Sequence, residues 1–493
     1  MAKDNNYIVE ETLDPEDWDS LRTLGHKMMD DVFDYMSTVR ERPVWEHLPE
    51  TVKKHFCKSI PMEPESADNV YNEFLKNIMP YPSGNIHPRF WGWVIGTGSP
   101  MGVLSELLSA AMNSNSGGLD HHSAIHVEKQ VIEWFKEIMG FPSTSSGLLT
   151  SGCSASNLIG LTTARNKMAA YDLRKEGIHP EKNRMTLYAS EEIHSSNQKA
   201  IELIGLGSSA LRLIPVNEHF QIDLDILQES ISRDREEGYS PFCIIGAAGT
   251  TNTGAIDDLN ALADICKKED LWFHVDGAFG SWATISPDVK NLVKGIERAD
   301  SLAFDLHKWM YMPYEVGCIL IREEENHRNS FSLTPSYLVH GTGGQGMTGG
   351  DLPWFSDYGF QLSRGFKALK VWMSIKEHGI NKYGRLIQQN IDQVRYLEEL
   401  IKTSPVLELI VPASLNIVCF RYVGLDPDYT KLDDLNKKIE VELQESGVAV
   451  ISVTLIKNQT VLRVANTNHR TRREDFDLLV EEIIKIGNME NLL

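Results

Sequence analysis

Short apolar runs alternate with longer stretches of helical spacing through the middle of the chain. The stretch 127–140, VEKQVIEWFKEIMG, repeats apolar residues three and four positions apart, which predicts an amphipathic helix. Six later runs are short and apolar, as buried strands are. They read MTLYAS (185–190), LRLIPV (211–216), FCIIGAA (242–248), LWFHVD (271–276), SLAFD (301–305) and GCILIR (317–322). Since helical stretches alternate with these runs, the pattern predicts an α/β fold with a mainly parallel sheet and flanking helices.

The pattern changes on both sides of this central region. Residues 1–98 carry helical patterns and several prolines, which predict a helical N-terminal segment. Residues 99–365 hold the strand and helix alternation and are predicted to form the large domain. Residues 366–493 contain long helical stretches and a few strand-like runs, such as TVLRVA, and predict a small α+β C-terminal domain.

Composition and charge narrow the classes of partner. The 493 residues include 48 Lys and Arg against 69 Asp and Glu, a formal net charge of −21. This charge argues against nucleic acid and anionic membrane as main partners. No apolar stretch is long enough for a membrane span, and the acidic N-terminus lacks an apolar signal core. The six scattered cysteines form no C-x-x-C pair, which is typical of reduced thiols and predicts a cytoplasmic protein.

Polar residues of unusual type stand where the predicted strands end. In a parallel sheet, ligands collect beyond the carboxyl ends of the strands. The small residues of TSGCSASN (150–157), including Cys153 and Ser154, open a helical stretch and suit a phosphate, or form an ordinary helix cap. Asp276 ends the run LWFHVD, where a buried carboxylate either faces a cationic ring nitrogen or caps a turn.

A lysine and a histidine complete this set. Lys308 follows the run SLAFD beside Trp309, so we expect burial to depress its pKa and make its amine a nucleophile. The alternative is a lysine whose ammonium reaches water. His194, in EEIHSS, follows another strand and could stack on a flat ring or lie at the surface. A phosphate cradle, a carboxylate and an amine are the three groups that pyridoxal phosphate needs from a protein.

At these positions the sequence resembles the group II pyridoxal-phosphate-dependent amino-acid decarboxylases of fold type I. The likeness runs from about residue 85 to the C-terminus. It is concentrated in TSGCSASN, EEIHSS, GTTNTGAIDDL, WFHVDGAFG, FDLHKW, TPSYLVH and LSRGFKALKVW. The resemblance implies a pyridoxal 5′-phosphate cofactor, an amino-acid substrate and a homodimer with a shared active site.

The resemblance also implies roles for single residues. Lys308 resembles the lysine that carries the cofactor as a Schiff base, and Asp276 resembles the partner of the pyridine nitrogen. His194 resembles the residue that stacks on the cofactor ring, with Ala278 supporting the opposite face.

Five further residues match the family's motifs. Cys153 and Ser154 match the phosphate loop, and Thr251 of GTTN matches a residue near the cofactor ring. His307 is expected beside the phosphate and the substrate. Tyr337, in TPSYL, resembles a tyrosine on a mobile loop that takes part in proton delivery after CO₂ leaves.

Two departures from the family affect the interpretation. The lysine motif of the family often reads Asn-Pro-His-Lys, whereas this chain has Asp305 in the first position and leucine in the second. An aspartate is unfavourable beside a phosphate, so we assign no phosphate contact to Asp305. The aromatic decarboxylases have bulky apolar residues where this chain reads NSNSGG (113–118), and an aromatic-Phe-Pro-Thr run where it has Trp-Val-Ile-Gly (93–96), which indicates a different substrate pocket.

The sequence therefore predicts an enzyme that converts an L-amino acid to its amine and CO₂. An aromatic substrate is our first choice because Phe90, Trp91 and Trp93 cluster on one candidate pocket segment, although these rings could instead be core. Ser363 is a further candidate substrate contact.

Three alternatives remain open from the sequence. The substrate could be non-aromatic, such as glutamate, cysteine sulfinate or a diamino acid, and Arg89 or Arg364 could then bind an acidic side chain. The enzyme could be an aldehyde synthase on the same scaffold, or a cofactor-binding protein without catalysis.

His122 and His126 have metal-ligand spacing, but the H-E-x-x-H pattern of a hydrolase is missing, so we predict no metal site. GTGGQG (341–346) is predicted to be a loop that closes over the site rather than a dinucleotide motif.

Overall fold

The structure, a computed structural model, describes residues 11–118, 122–179, 181, 184–333, 354–425 and 430–490. The α-helices in these ranges are α1 (Trp18–Ser37), α2 (Glu50–His55), α3 (Ala67–Asn77), α4 (Pro100–Met112), α5 (Ser123–Met139), α6 (Cys153–Met168), α7 (Leu173–Glu176), α8 (Ser195–Leu203), α9 (Leu224–Glu236), α10 (Leu259–Glu269), α11 (Glu324–Phe331), α12 (Ala368–His378), α13 (Ile380–Thr403), α14 (Leu432–Glu445) and α15 (Arg473–Glu490). The strands are β1 (Ser146–Thr150), β2 (Met185–Ser190), β3 (Leu211–Ile214), β4 (Ser240–Ala247), β5 (Trp272–Asp276), β6 (Ser301–Asp305), β7 (Gly317–Ile321), β8 (Leu407–Ser414), β9 (Ile417–Tyr422), β10 (Ser452–Ile456) and β11 (Gln459–Ala465).

Polar caps set where the N-terminal helices begin. The Asp17 side chain accepts hydrogen bonds from two backbone N–H groups of the first turn of α1. Ser66 caps α3 in the same way, and Ser99 caps α4, whose first residue is Pro100. Such caps satisfy N–H groups that have no partner inside the helix, and proline suits the first helical position. The described part of residues 1–98 is therefore helical, as its sequence pattern predicts.

A seven-stranded sheet in the order β1-β7-β6-β5-β4-β2-β3 forms the centre of the molecule. Every residue of β2, β5 and β6 is buried, which explains why these strands read as continuous apolar runs rather than alternating ones. The pairs that join β3, β2, β4, β5 and β6 are parallel. The prediction of a mainly parallel sheet with flanking helices is confirmed.

The strand at 317–321 departs from this parallel pattern. β7 runs antiparallel to both β6 and β1. The connection from β6 to β7 is residues 306–316 alone, too short for the dozen or more residues of a parallel crossover. The run GCILIR was therefore wrongly grouped with the parallel strands.

The connection from β5 to β6 also differs from expectation. The alternation of strands and helical stretches predicts a helix between β5 and β6, but the structure has three short 3₁₀ helices at Gly280–Ile285, Lys290–Val293 and Ile296–Arg298. The two strands still run parallel, so their carboxyl ends lie at the same edge of the sheet.

A smaller antiparallel sheet, in the order β10-β11-β9-β8, follows in the C-terminal part. Its core includes Trp91, whose backbone N–H donates to Val450 and whose carbonyl accepts from Ala465. The indole of Trp91 stacks on Phe476 with ring centroids 4.6 Å apart. The segment around residue 90 therefore packs into the C-terminal domain. None of the helices in the described ranges combines the length and the apolar character that crossing a bilayer requires.

Candidate active site

A cavity of about 370 Å³ lies at the sheet edge where β5 and β6 end. It contains seven of the residues that the sequence predicts for the site, which are Cys153, Ser154, His194, Asp276, Ala278, His307 and Lys308. Its other lining residues are Ser151, Gly152, Ala155, Ser196, Asp305, Tyr314 and Glu315. Four chain segments supply this lining, namely those after β1, β2, β5 and β6. Ligands are expected at this edge of an open α/β sheet.

Asp276 is the buried anion of the cavity. One carboxylate oxygen accepts from the Asn157 amide at 2.9 Å and from the Asn197 amide at 2.7 Å, and the other accepts from the Ala278 N–H at 3.2 Å. Burial alone would raise the pKa of Asp276, but the Asn197 hydrogen bond and the positive charge of Lys308 outweigh it and lower the pKa. Asp276 is therefore a carboxylate held mainly by neutral donors.

A chain of hydrogen bonds lies behind Asp276. The Trp272 indole N–H donates to Ser301 Oγ at 2.7 Å, and Ser301 Oγ lies 2.7 Å from His274 Nδ1. His274 Nε2 lies 3.0 Å from the Asn157 side-chain oxygen. Burial lowers the pKa of His274 to about 4, so the ring is neutral and one consistent pattern follows. Ser301 donates to Nδ1, Nε2–H donates to Asn157, and the Asn157 amide donates to Asp276.

His194 occupies the N-cap of α8. Its Nδ1 accepts from the Ser196 N–H at 3.2 Å and lies 2.8 Å from Ser196 Oγ. Burial lowers the pKa of His194, which favours the neutral ring with its proton on Nε2. The cap thus fixes both the place of the imidazole and its tautomer at the edge of the cavity.

Lys308 reaches the cavity paired with a carboxylate. Its Nζ lies 3.0 Å from Asp305 Oδ2. Burial lowers the pKa of Lys308, but the charge of Asp305 and other nearby groups more than offset this, so its pKa is raised. The expectation of a depressed pKa is wrong because the sequence does not show that Asp305 faces the amine. Trp309 contributes little here, since its indole donates to Asn390 on another side.

His307 and Tyr314 form one wall of the cavity. The Val316 N–H donates to His307 Nδ1 at 3.2 Å, which fixes the imidazole. The Tyr314 ring packs against His307 with ring centroids 4.5 Å apart and ring planes tilted by 34°, and 52% of the tyrosine is exposed. Burial lowers the pKa of His307, so this wall is neutral and partly aromatic.

Four predicted residues do not line the cavity. Phe90 is buried in a separate cluster with Val44 and Val450, so it is a core residue rather than a pocket residue. Trp93 is 59% exposed, and Ser363 is exposed as well. Thr251 lies in the turn after β4, outside the lining. Tyr337 and the GTGGQG stretch lie outside the described residues.

The two arginines considered as acid-binding residues have structural partners. Arg364 pairs with the fully buried Glu128 and donates to backbone carbonyls. Arg89 donates to the Val448 carbonyl at 2.7 Å and lies 3.9 Å from Asp475. Neither guanidinium lines the cavity.

The histidine pair of the candidate metal motif lies at the start of α5. His122 precedes the helix, and its Nε2 lies 3.0 Å from the Gly118 carbonyl oxygen. Among the residues that the structure describes, no group of three metal-binding side chains comes together.

Sequence reasoning missed the two amides that hold Asp276. Asn157 is the fifth residue of α6 and Asn197 the third of α8, at the ends of TSGCSASN and HSSN. Both are fully buried, which is costly for an amide without partners. Polar residues in the first two turns of helices that follow strands were the available signal.

The arrangement offers what pyridoxal phosphate requires. It places a buried carboxylate, a lysine amine and a neutral imidazole in one cavity with the backbone N–H groups at the start of α6. Among the residues that the structure describes, no cation is in hydrogen-bond contact with Asp276, so a protonated ring nitrogen would find an unneutralised partner there.

Comparison with known proteins agrees with this geometry. A model of the pyridoxal-dependent decarboxylase conserved domain matches residues 49–423. The chain is 32% identical over 460 residues to an aromatic-L-amino-acid decarboxylase of Bacillus atrophaeus, covering 93% of each chain. It is 27% identical to a phenylacetaldehyde synthase of Arabidopsis thaliana, covering 95% of this chain and 97% of that one.

A solved structure shares the fold. The crystal structure of Oryza sativa TDC with PLP and tryptamine superposes with a TM-score of 0.88 at 24% identity. The match covers 97% of this chain and 100% of the other.

Proposed function

Because this chain belongs to the pyridoxal-dependent decarboxylase family, we propose that it decarboxylates an aromatic L-amino acid to the amine. It is a pyridoxal-phosphate-dependent enzyme of amino-acid decarboxylation. The choice of an aromatic substrate and of an amine product is our proposal, and the described wall of the cavity supports it.

Four cavity residues have a proposed part in holding the cofactor. Lys308 would hold it through its amine, Asp276 would face and keep protonated its ring nitrogen, and His194 and Ala278 would contact the ring. Bound pyridoxal phosphate supplies an electron-withdrawing ring that stabilises negative charge at the substrate Cα when CO₂ departs. The neutral tautomer of His194 favours stacking without adding charge beside that ring.

The charge of the lining carries the choice of substrate class. None of the described lining residues is an arginine, while Asp276, Asp305 and Glu315 are carboxylates. A second carboxylate or a sulfinate on the substrate would meet repulsion there. The half-exposed Tyr314 ring, which packs against His307, instead offers a flat apolar surface that an aromatic side chain can cover.

The test is a substrate panel with CO₂ and amine both measured. The panel compares tryptophan, tyrosine, dopa, phenylalanine and histidine with glutamate, cysteine sulfinate and 2,4-diaminobutyrate. We expect an aromatic amino acid to have the highest kcat/KM. A higher value for an acidic or diamino substrate would contradict the proposal.

A paired variant relates this preference to Tyr314. Tyr314→Leu removes the aromatic surface, and we expect KM for the best substrate to rise about tenfold while kcat changes little. Tyr314→Phe retains the ring and serves as the matched control. Equal KM values in all three proteins would remove Tyr314 from the substrate surface.

Tyr337 is the proposed proton donor that fixes the product. A phenol beside the substrate can deliver a proton to Cα after CO₂ leaves, which yields the amine. Without prompt protonation, oxygen has time to react and yields aldehyde, ammonia and peroxide. We expect Tyr337→Phe still to release CO₂ but to form aldehyde, measured together with amine and peroxide under air. Unchanged amine formation would argue for another donor.

We also propose a cytoplasmic homodimer with a shared active site. Large apolar side chains are exposed on the helical N-terminal segment, and they include Ile60 at 78% and Met62 at 85%. Such a surface favours burial against a second copy. All six cysteines are unpaired, which is consistent with a reducing compartment. Light scattering of the purified chain tests the dimer, and a monomer at micromolar concentration would contradict it.

A further inference from the structure

One carboxylate contacts two groups that the cofactor needs, the N–H at the start of α6 and the Lys308 amine. Asp305 Oδ1 accepts a 2.6 Å hydrogen bond from the Cys153 N–H, the first N–H of helix α6. Asp305 Oδ2 lies 3.0 Å from Lys308 Nζ and 3.6 Å from His307 Nε2. Asp305 itself is 2% exposed. A single buried group thus joins the start of the helix to the amine.

The fold fixes this carboxylate in place. The Asp305 N–H donates to the Ala278 carbonyl at 2.9 Å, and the Asp305 carbonyl accepts from the Trp282 indole at 2.8 Å. The side chain then enters a niche between two glycines. A Cβ atom on Gly317 would lie only 2.9 Å from Asp305 Oδ1 and 2.7 Å from Gly152 Cα. The close approach to α6 is therefore built into the backbone on both sides.

Cofactor binding makes demands on the same two groups. An anion at the start of α6 needs the exposed backbone N–H groups, and Cys153 supplies the first of them. Formation of a bond to an aldehyde needs the neutral amine, whereas a carboxylate at ion-pair distance favours the ammonium. A phosphate group would also be repelled by a carboxylate that remained in place.

We propose that Asp305 competes with the cofactor phosphate for the Cys153 N–H, so that the phosphate must displace this carboxylate and Asp305 weakens cofactor binding. Until then the carboxylate keeps Lys308 in its ammonium form. This role depends on pyridoxal phosphate alone and is independent of the proposed substrate. A wrong substrate assignment would leave it untouched.

The test separates the phosphate from the aldehyde by the choice of probe. Pyridoxine 5′-phosphate carries the phosphate but cannot bond to Lys308, and pyridoxine lacks the phosphate as well. Both are titrated calorimetrically into the full-length chain after its own cofactor has been removed. The ratio of the two dissociation constants measures how well the site receives the phosphate.

The main variant is Asp305→Asn, which keeps the shape of the side chain and removes the charge. We expect it to bind pyridoxine 5′-phosphate about tenfold more tightly than wild type and pyridoxine with unchanged affinity. Asp300→Asn is the matched control at the other end of β6, where Asp300 accepts a 2.8 Å hydrogen bond from the Phe273 N–H. We expect the control to leave the ratio unchanged.

A second variant keeps the proposal testable if the first folds poorly. Asp305→Ala removes both the charge and the acceptor, and it should likewise favour the phosphate ester over pyridoxine. Unchanged or weaker binding of the phosphate ester by a folded Asp305 variant would overturn the proposal, and so would equal tightening of both probes. Melting temperatures of all four proteins establish which variants are folded.

Discussion

Two neighbouring strands of the large sheet end in aspartate, yet the two carboxylates have different surroundings. Asp276 ends β5 and accepts from the amides of Asn157 and Asn197. Asp305 ends β6 and contacts the Lys308 ammonium and a backbone N–H. Both are buried at the same edge of the sheet.

The difference shows that the donors around a carboxylate decide what it can bind. Amides keep Asp276 ionised without neutralising it, so it can still pair with a cationic ring nitrogen. Lys308 neutralises Asp305, so Asp305 cannot pair with a further cation while the ammonium stays beside it. Residue type and position along the strand are equal, and the contacting groups make the distinction: Asn157 and Asn197 at Asp276, and Lys308 of the turn after β6 at Asp305.

The largest expected effect comes from removing Lys308, the cation that distinguishes Asp305 from Asp276. Lys308→Ala should abolish turnover, because no other amine lines the described cavity. Wild type should bind the cofactor with a yellow colour, and borohydride should attach a pyridoxyl group to the peptide that contains residue 308. Absorbance, peptide mass and CO₂ release measure these outcomes.

A second buried lysine provides the control for that variant. Lys370 pairs with Glu106 and lies outside the cavity. Lys370→Ala should reduce stability and still take up the label at residue 308. Label on a different lysine in wild type would refute the assignment of Lys308.

Neutralising Asp276 should give the next largest effect. Asp276→Asn keeps the shape but removes the charge that holds a ring nitrogen protonated, so kcat should fall about a hundredfold or more. Cofactor affinity should change much less. Asp257→Asn is the control, since Asp257 is likewise a buried carboxylate held by neutral donors, here two backbone N–H groups, but lies outside the cavity. Near-normal turnover of Asp276→Asn would mean that another group holds the nitrogen.

The amides around Asp276 should give a smaller effect of known sign. Asn197→Ala removes a 2.7 Å donor to the carboxylate, so the lowered pKa of Asp276 should rise. The acid limb of the kcat/KM profile should then move to higher pH, and kcat should fall about tenfold. Asn436→Ala, at an equally buried amide that bonds the backbone of β9, should cost stability without moving the profile. An unmoved acid limb in Asn197→Ala would show that its amide does not tune Asp276.

The sequence pattern was sufficient for the residues that stand at strand ends. The apolar runs locate β5 and β6, and the rule for parallel sheets places Asp276 and Lys308 at one edge. The pattern failed for β7, where the length of the connection, not the apolar character, decides the direction of the strand.

The sequence does not show which side chains contact one another in the folded chain. Nothing local to Lys308 indicates that Asp305, three residues earlier, turns towards the amine rather than away from it. Likewise, Arg364 could have faced a substrate until the structure paired it with Glu128, more than two hundred positions away in the chain. Such contacts depend on how elements pack and not on the spacing within one element.

The smallest expected effect concerns His274, which reaches Asp276 through the Asn157 amide, whereas His307 lies 3.6 Å from Asp305 with no amide between them. Burial lowers the pKa of His274 from 6.5 to about 4, so the unfolded chain binds this proton more readily than the folded one. The stability that this neutral ring contributes is therefore complete above pH 6.5 and is lost as the pH falls towards about 4.

His274→Gln cannot take up this proton, so its free energy of unfolding should fall less steeply between pH 6.5 and about 4. His469→Gln is the control, because burial also lowers the pKa of His469 to about 4, and its ring bonds the Gly98 carbonyl rather than the residues that contact Asp276. Both variants should flatten the stability curve, measured by denaturant titration at each pH, but only His274→Gln should also shift the acid limb of kcat/KM. If both variants shift that limb equally, His274 does not influence the ionisation of Asp276. The contrast between the two aspartates then depends on the amides of Asn157 and Asn197 alone.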